Sequence, residues 1–161
     1  MQLIENLSKL QALVLVPTRE IATAVNVLFT KLGQYMDINT QSIIYTKNEL
    51  NHLSERFIES IEEVNQIIIG PVGRILSTVE KTSKNIFKDL QVLIIDGADE
   101  IIERGFFDGI KQIISYINPK CQICIFSQTF RNEIIQLSND FLKKPIKFEN
   151  DEEKKLTITS I

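Results

Sequence analysis

The sequence predicts an α/β fold in which a parallel sheet is covered by helices on both faces. Short runs such as 12–16 and 91–95 are apolar at nearly every position, the pattern of strands buried on two sides. They alternate with longer stretches of helical spacing. The polar residues that stand out fall where the strand-like runs end, and in open parallel sheets that edge is where ligands bind.

The first run, 12–16, is β-branched and apolar and ends at Pro17. Segment 20–35 has helical spacing, with Ile21, Ala24, Val25, Leu28 and Leu32 on one face. A strand is expected at 40–46 and an amphipathic helix at 48–60, with Leu50, Leu53, Phe57 and Ile58 apolar. A strand follows at 64–69 and a helix at 72–81. Strand 91–95 ends in Asp96, and helical patterns cover 98–104 and 107–117. The remaining elements are a strand at 121–126, a helix at 132–141 and a last short strand at 145–148. The tail, 149–161, is polar and then β-prone and reads as the start of a linker, so one domain is expected over 1–148.

With 161 residues the chain is long enough to bury one substantial core. No run is long and apolar enough to span a bilayer, and the first residues do not pattern as a signal peptide, so an intracellular location, cytoplasmic or equivalent, is expected. The net charge is −3, which argues against nucleic-acid binding by bulk electrostatics; any RNA contact is expected to be local and weak. Cys121 and Cys124 form a C-x-x-C spacing, but in an apolar strand residues three apart point to opposite faces. No second pair exists and the single histidine, His52, is distant in sequence, so core packing is the better reading than metal or redox chemistry.

Four clusters lie at four strand ends. After 12–16 come Pro17, Thr18, Arg19 and Glu20. Thr18 can cap the following helix and Glu20 complements its positive end. The dipole disfavours Arg19 there unless an anion is to be held, which the helix N–H groups would assist. Gly70, Pro71 and Gly73 read as a tight turn, with Arg74 again at a helix start. Two such sites can hold successive phosphates of one strand. Asp96 and Asp99 flank Gly97 and Ala98; a carboxylate ending a buried strand serves equally as a helix cap or as a ligand near nucleotide-bound Mg²⁺. Ser127 and Thr129 occupy the last junction, where hydroxyls commonly cap and bridge loops.

In this order and spacing the clusters resemble the DEAD-box RNA helicases. Pro17 to Ala22 is similar to the family's P-T-R-E-L-A, Gly70 to Arg74 to G-T-P-G-R, Asp96 to Asp99 to D-E-A-D, and Ser127 to Thr129 to S-A-T. The resemblance implies a RecA-like, P-loop NTPase-type sheet. It implies RNA-backbone contacts from Pro17, Thr18, Arg19, Gly73 and Arg74. Asp96 and Asp99 would be remnants of the catalytic motif, with Ser127 and Thr129 as its partners. Asp96 would bind Mg only if another chain held the nucleotide. The stretches around Leu32 to Met36, around Glu103 to Ile110 and in the tail resemble the translation-initiation branch.

The departures shape the expected activity. The 161 residues contain no G-x-x-x-x-G-K-[ST] loop, so the Walker A strand and loop of the family are not among them. Gly97 stands where the family has the Glu that positions the attacking water. Bulky Ile44 and Tyr45 fall where the family has two glycines, and Pro71 replaces a Thr. Loss of one transition-state-stabilising group commonly lowers a rate by on the order of 10²–10³. No cofactor is therefore expected for this chain alone, although Mg-ATP serves the family. The expectation is a domain unable to hydrolyse ATP by itself, acting as a weak RNA-backbone or partner-binding module. Expected partners are RNA, a helical-repeat initiation scaffold or a second RecA-like domain. The alternative is one piece of an ATP-dependent helicase completed by another polypeptide. For the sheet, the family arrangement puts the Walker A strand beside 121–126, and residues 145–148 are expected to move in and pair there. Filling of that place by the segment near Leu3 to Leu7, or by another chain, is the other outcome considered.

Overall fold

The computed structural model describes residues 9–36, 38–45, 65–80 and 84–148. These form β1 (Ala12–Val16), α1 (Arg19–Gly33), β2 (Thr40–Ser42), β3 (Ile67–Pro71), α2 (Val72–Val79), a 3₁₀ turn (Lys84–Phe87), β4 (Val92–Ile95), α3 (Ala98–Glu103), α4 (Phe107–Tyr116), β5 (Gln122–Ile125) and α5 (Asn132–Phe141). The five strands make one sheet, ordered β2-β3-β1-β4-β5, and all of its pairings are parallel. The predicted fold class is the observed one.

The apolar strands alternate between two cores. Leu13, Leu15, Leu93 and Ile95 point to one face, where they meet Val72, Ile75 and Val79 of α2, Ile110 and Ile113 of α4, and Ile134 and Leu137 of α5. Ala12, Val14, Val16, Ile67 and Ile69 point to the other, where α1 supplies Ala22 with Ile21, Val25 and Phe29. Every residue of β1 is buried, so its strand has no solvent face. Truncating one such side chain, Leu13 for example, removes about 2–5 kcal/mol.

Handedness explains the division of helices. A β-α-β crossover between parallel strands is right-handed in nearly all proteins. The step from β1 to β2 moves one way along the sheet and carries α1 over one face. The steps from β3 to β4 and from β4 to β5 move the other way and carry α2, α3 and α4 over the opposite face.

Three expectations need correction. Residues 145–148 form no strand; Ile146 and Phe148 are 82% and 88% exposed, and β5 pairs only with β4 among the described residues. Pro145 has no N–H to donate to a ladder, and Lys144 just before it has φ of 52°, which turns the chain. The segment is tied instead through lysine tips. Lys143 Nζ lies 3.5 Å from the Pro119 carbonyl, and Lys147 Nζ lies 4.4 Å from the Phe130 ring centre. Second, the predicted turn at Gly70–Gly73 is absent: β3 runs through Pro71 and α2 begins at once with Val72. Gly70 is needed because a Cβ there would come within 2.9 Å of the carbonyl oxygen of Ile43, the residue just past β2. Third, Ala24, Leu28 and Leu32 of the predicted apolar face of α1 are exposed. The predicted helix 48–60, His52, the segment near Leu3 to Leu7 and the linker 149–161 lie outside the described residues.

The cysteines follow the strand argument. Cys121 packs with Ile123 and Ile125 into the larger core, and Cys124 has the opposite parity. Both are free thiols, and burial pushes the Cys121 thiol up to about 11, which makes it a poor nucleophile.

Candidate functional site at the carboxyl edge of the sheet

Parallel register gathers the four sequence clusters at one edge. Val16 pairs with Pro71 and Leu15 with both Gly70 and Ile95, so the chain leaves β1, β3 and β4 at the same level. Ile95 pairs with Ile125, which brings the end of β5 to that level too.

At the end of β1, Thr18 is extended, with φ −135° and ψ 166°, and its Oγ1 accepts a hydrogen bond from the Ile21 N–H at 3.2 Å. This is the cap predicted from sequence. The Glu20 carboxyl is held below its ordinary value by its own backbone N–H and the Thr18 hydroxyl, with smaller help from the Arg19 and Arg104 charges. Arg104, at the end of α3, was not singled out from sequence. It also takes Glu100 Oε1 at 3.1 Å from Nε and 2.7 Å from Nη2. Arg19 is half-buried at the first position of α1.

At the end of β3, Pro71 precedes α2 and no side chain caps that helix. Its first-turn N–H groups are therefore offered to the surroundings. Gly73 lies against Phe106, and a Cβ there would meet the ring at 3.0 and 3.2 Å. Phe106 is a second residue that sequence reasoning missed; Gly73 gave no cue to it because its partner is distant in sequence. Arg74 follows in the first turn of α2, half-buried.

At the end of β4, the Asp96 N–H donates to the Leu15 carbonyl at 2.9 Å, and its side chain is exposed. Gly97 is left-handed, with φ 67° and ψ 45°. A Cβ at that position would meet Pro17 Cγ at 2.9 Å. The N-terminal residue of α3 is thus set by a glycine, and Asp96 is not its side-chain cap. Asp99 reaches the β5 cluster: Thr129 Oγ1 donates to Asp99 Oδ2 at 3.3 Å. Burial works to raise the Asp99 carboxyl. Hydrogen bonds from the Glu100 and Asp99 N–H groups, the Ser127 hydroxyl and the Gln128 N–H outweigh it and hold the carboxyl below its ordinary value. The Ser127 hydroxyl also lies 2.8 Å from the Thr129 carbonyl, and its single proton serves one acceptor at a time.

The structure therefore joins Asp99, Ser127 and Thr129 and leaves Asp96 pointing to solvent. A shallow cleft of about 140 Å³ beside Asp99 is lined by Ile102, Glu103, Arg131, Glu133 and Ile134. It is smaller than the roughly 300–1,000 Å³ of ordinary small-molecule sites. The Arg131–Glu103 ion pair crosses it at 2.6 Å. Among the described residues no group of three or more His, Cys, Asp or Glu could hold a metal. No described helix is long and apolar enough to cross a membrane.

Comparison with known proteins adds the following. The family model described as DEAD/DEAH box helicase matches residues 1–137. The ATP-dependent RNA helicase FAL1 of Lodderomyces elongisporus is 33% identical over 137 residues, covering 85% of this chain and 33% of that protein. Eukaryotic initiation factor 4A-3 of Nicotiana plumbaginifolia is 29% identical over 140 residues, covering 87% and 34%. A DEAD box protein from Methanococcus jannaschii superposes with a TM-score of 0.74 at 26% identity, over 86% of this chain and 36% of that one. The chain spans about a third of the length of the curated relatives it matches.

Proposed function

Since the chain belongs to the DEAD/DEAH box helicase family, we propose that its carboxyl edge holds the sugar-phosphate backbone of RNA and that residues 1–161 do not hydrolyse ATP by themselves. One observation carries the RNA reading. The register of β1 against β3 sets two helix N-termini on adjacent strands, each with an arginine in its first turn, Arg19 and Arg74. Adjacent strands lie about 4.8 Å apart. Backbone N–H groups at helix starts together with guanidinium groups suit phosphate oxygens and carry no base preference. Pro17, Thr18 and Gly73 shape the two loops: Thr18 caps the first, and Gly73 lets Phe106 close under the second.

Asp96, Asp99, Ser127 and Thr129 serve in this reading as the remnant of a nucleotide-sensing corner. The Thr129–Asp99 hydrogen bond couples its two loops. The absence of a G-x-x-x-x-G-K-[ST] loop from the 161 residues and the glycine at position 97 support the lack of hydrolysis. A role in translation initiation is proposed on the likeness to initiation factor 4A-3, with a helical-repeat scaffold or a second RecA-like domain as partner. Among the described residues β5 pairs only with β4, which favours a second reading alongside, in which the chain is one piece of a helicase completed by a further segment.

The test is binding of a single-stranded RNA oligomer, with and without Mg-ATP. Weak, sequence-indifferent binding that Arg19→Ala and Arg74→Ala each reduce supports the proposal. Unchanged affinity in the double variant excludes this edge. A rise of several degrees in melting temperature with Mg-ATP alone overturns the nucleotide part.

A further inference from the structure

Beyond β2 the chain keeps its course beside β3. Ser42 pairs with Ile69, and the Ile43 N–H donates to the Ile69 carbonyl at 2.7 Å. Ile43 is buried in the larger core and Ile44 packs against the smaller one, so side chains still alternate between the two faces past Ser42. Alternation gives Tyr45 the parity of Ile43, on the face that carries α2. Counted on from the Ser42–Ile69 pair, Tyr45 comes level with Val72, the first residue of α2. Its side chain is half-buried.

The carboxyl edge thus carries a row of three residues on neighbouring strands: Tyr45 after β2, Arg74 after β3 and Arg19 after β1. Adjacent strands stand about 4.8 Å apart, which sets Tyr45 and Arg74 within the span of one nucleotide. The two side chains differ in what they can hold. A guanidinium takes phosphate oxygens. A phenol ring offers a π-face, and nucleobases of single strands stack on such faces. Phe106 also lies near Arg74, but its ring is packed against Gly73 within the fold. A side chain as large as Tyr45 at this edge either receives a strand or obstructs it, and the neighbouring arginines favour the first, because they draw the strand past the ring.

We infer that Tyr45 stacks on a nucleobase of the RNA strand whose phosphates Arg19 and Arg74 hold, so that this edge makes a base contact as well as backbone contacts. The strand crosses the ends of β1, β3 and β2 in turn and meets phosphate, phosphate and base contacts in that order. Every base has a π-face, so the added contact stays tolerant of sequence. It neutralises no phosphate, so it raises affinity without steepening the salt dependence. It also needs an unpaired base that can leave its neighbours, which gives the edge a preference for single strands over duplexes.

The inference rests on the RNA reading above, and the test separates the two. It uses two oligomers of equal length and charge, a single-stranded RNA and the same ribose-phosphate chain without bases. Tyr45→Ala and Tyr45→Leu, the second of which keeps the bulk and loses the ring, are each expected to weaken RNA binding by at least about 5-fold. Both are expected to leave the salt slope and the affinity for the abasic oligomer unchanged. Tyr45→Phe, which keeps the ring, is expected to bind RNA like the wild type. Arg19→Ala/Arg74→Ala is expected to weaken both oligomers. Loss of the arginine effect alone therefore refutes the phosphate reading, and loss of the tyrosine effect alone refutes stacking. Full RNA affinity in Tyr45→Leu, equal losses on the two oligomers, tighter RNA binding by Tyr45→Gly, or no RNA binding by the wild type would each overturn the inference.

Discussion

Replacing Gly97 tests how the acidic loop is built. Two glycines near that loop have positive φ: Gly97 at 67° and Gly105 at 84°. A left-handed conformation disfavours any L-residue by about 1–2 kcal/mol. At Gly105 that is the whole effect, since an added Cβ meets nothing within 4 Å. At Gly97 the Cβ would also stand 2.9 Å from Pro17 Cγ and 3.4 Å from Cδ, and the proline ring cannot swing away. Overpacking of that kind adds about 1–3 kcal/mol. Gly105→Ala is thus expected to lose about 1–2 kcal/mol and Gly97→Ala about 2–5. At about 2–4 °C per kcal/mol for a chain of this size, thermal denaturation separates them clearly. Gly97→Glu, which restores the acid of the resembled motif, carries the same strain and is expected to be destabilised without gaining ATPase activity. Equal losses in the two alanine variants would refute the close approach of Pro17. Losses below about 0.5 kcal/mol in both would refute the strain argument altogether.

Two further outcomes are expected. Thr18→Ala removes the cap of α1 and lowers stability by about 1 kcal/mol, with Thr18→Ser restoring most of it, as urea unfolding would measure. Asp99 has a folded-state pKa below its ordinary value of 3.8, so its contribution is present above that value and is lost as pH falls through the folded value. The acid limb of the stability curve is therefore expected to be shallower in Asp99→Asn than in the wild type, and a steeper limb would contradict the hydrogen bonds assigned to it.

Much of this molecule was legible from patterning. Strands apolar on both parities, such as Ala12–Val16, could only belong to a sheet with two covered faces, and the parallel alignment of such strands puts their carboxyl ends at one edge. The Thr18 cap was legible because capping is local. What escaped were contacts between residues far apart in sequence. Gly97 against Pro17, Gly73 against Phe106 and Gly70 against the Ile43 carbonyl each look like a turn glycine in sequence and each serve a close approach in space. The exposed flank of α1 escaped for a different reason. Periodicity reports that Leu28 and Leu32 share an apolar face, and not which part of that face the described sheet covers. Residues 145–148 have strand-like composition, but strand composition does not supply a partner, and Pro145 withholds a donor.

The central claim is that Arg19 and Arg74 hold neighbouring phosphates. Each phosphate contact to a single strand contributes about 0.7 to the slope of log K against log salt. Titrating a single-stranded RNA oligomer across salt concentrations measures that slope in the wild type and in Arg19→Ala/Arg74→Ala. The account predicts that the double variant binds more weakly and that its slope is shallower by about 1.4. The same slope and the same affinity in both proteins would contradict it.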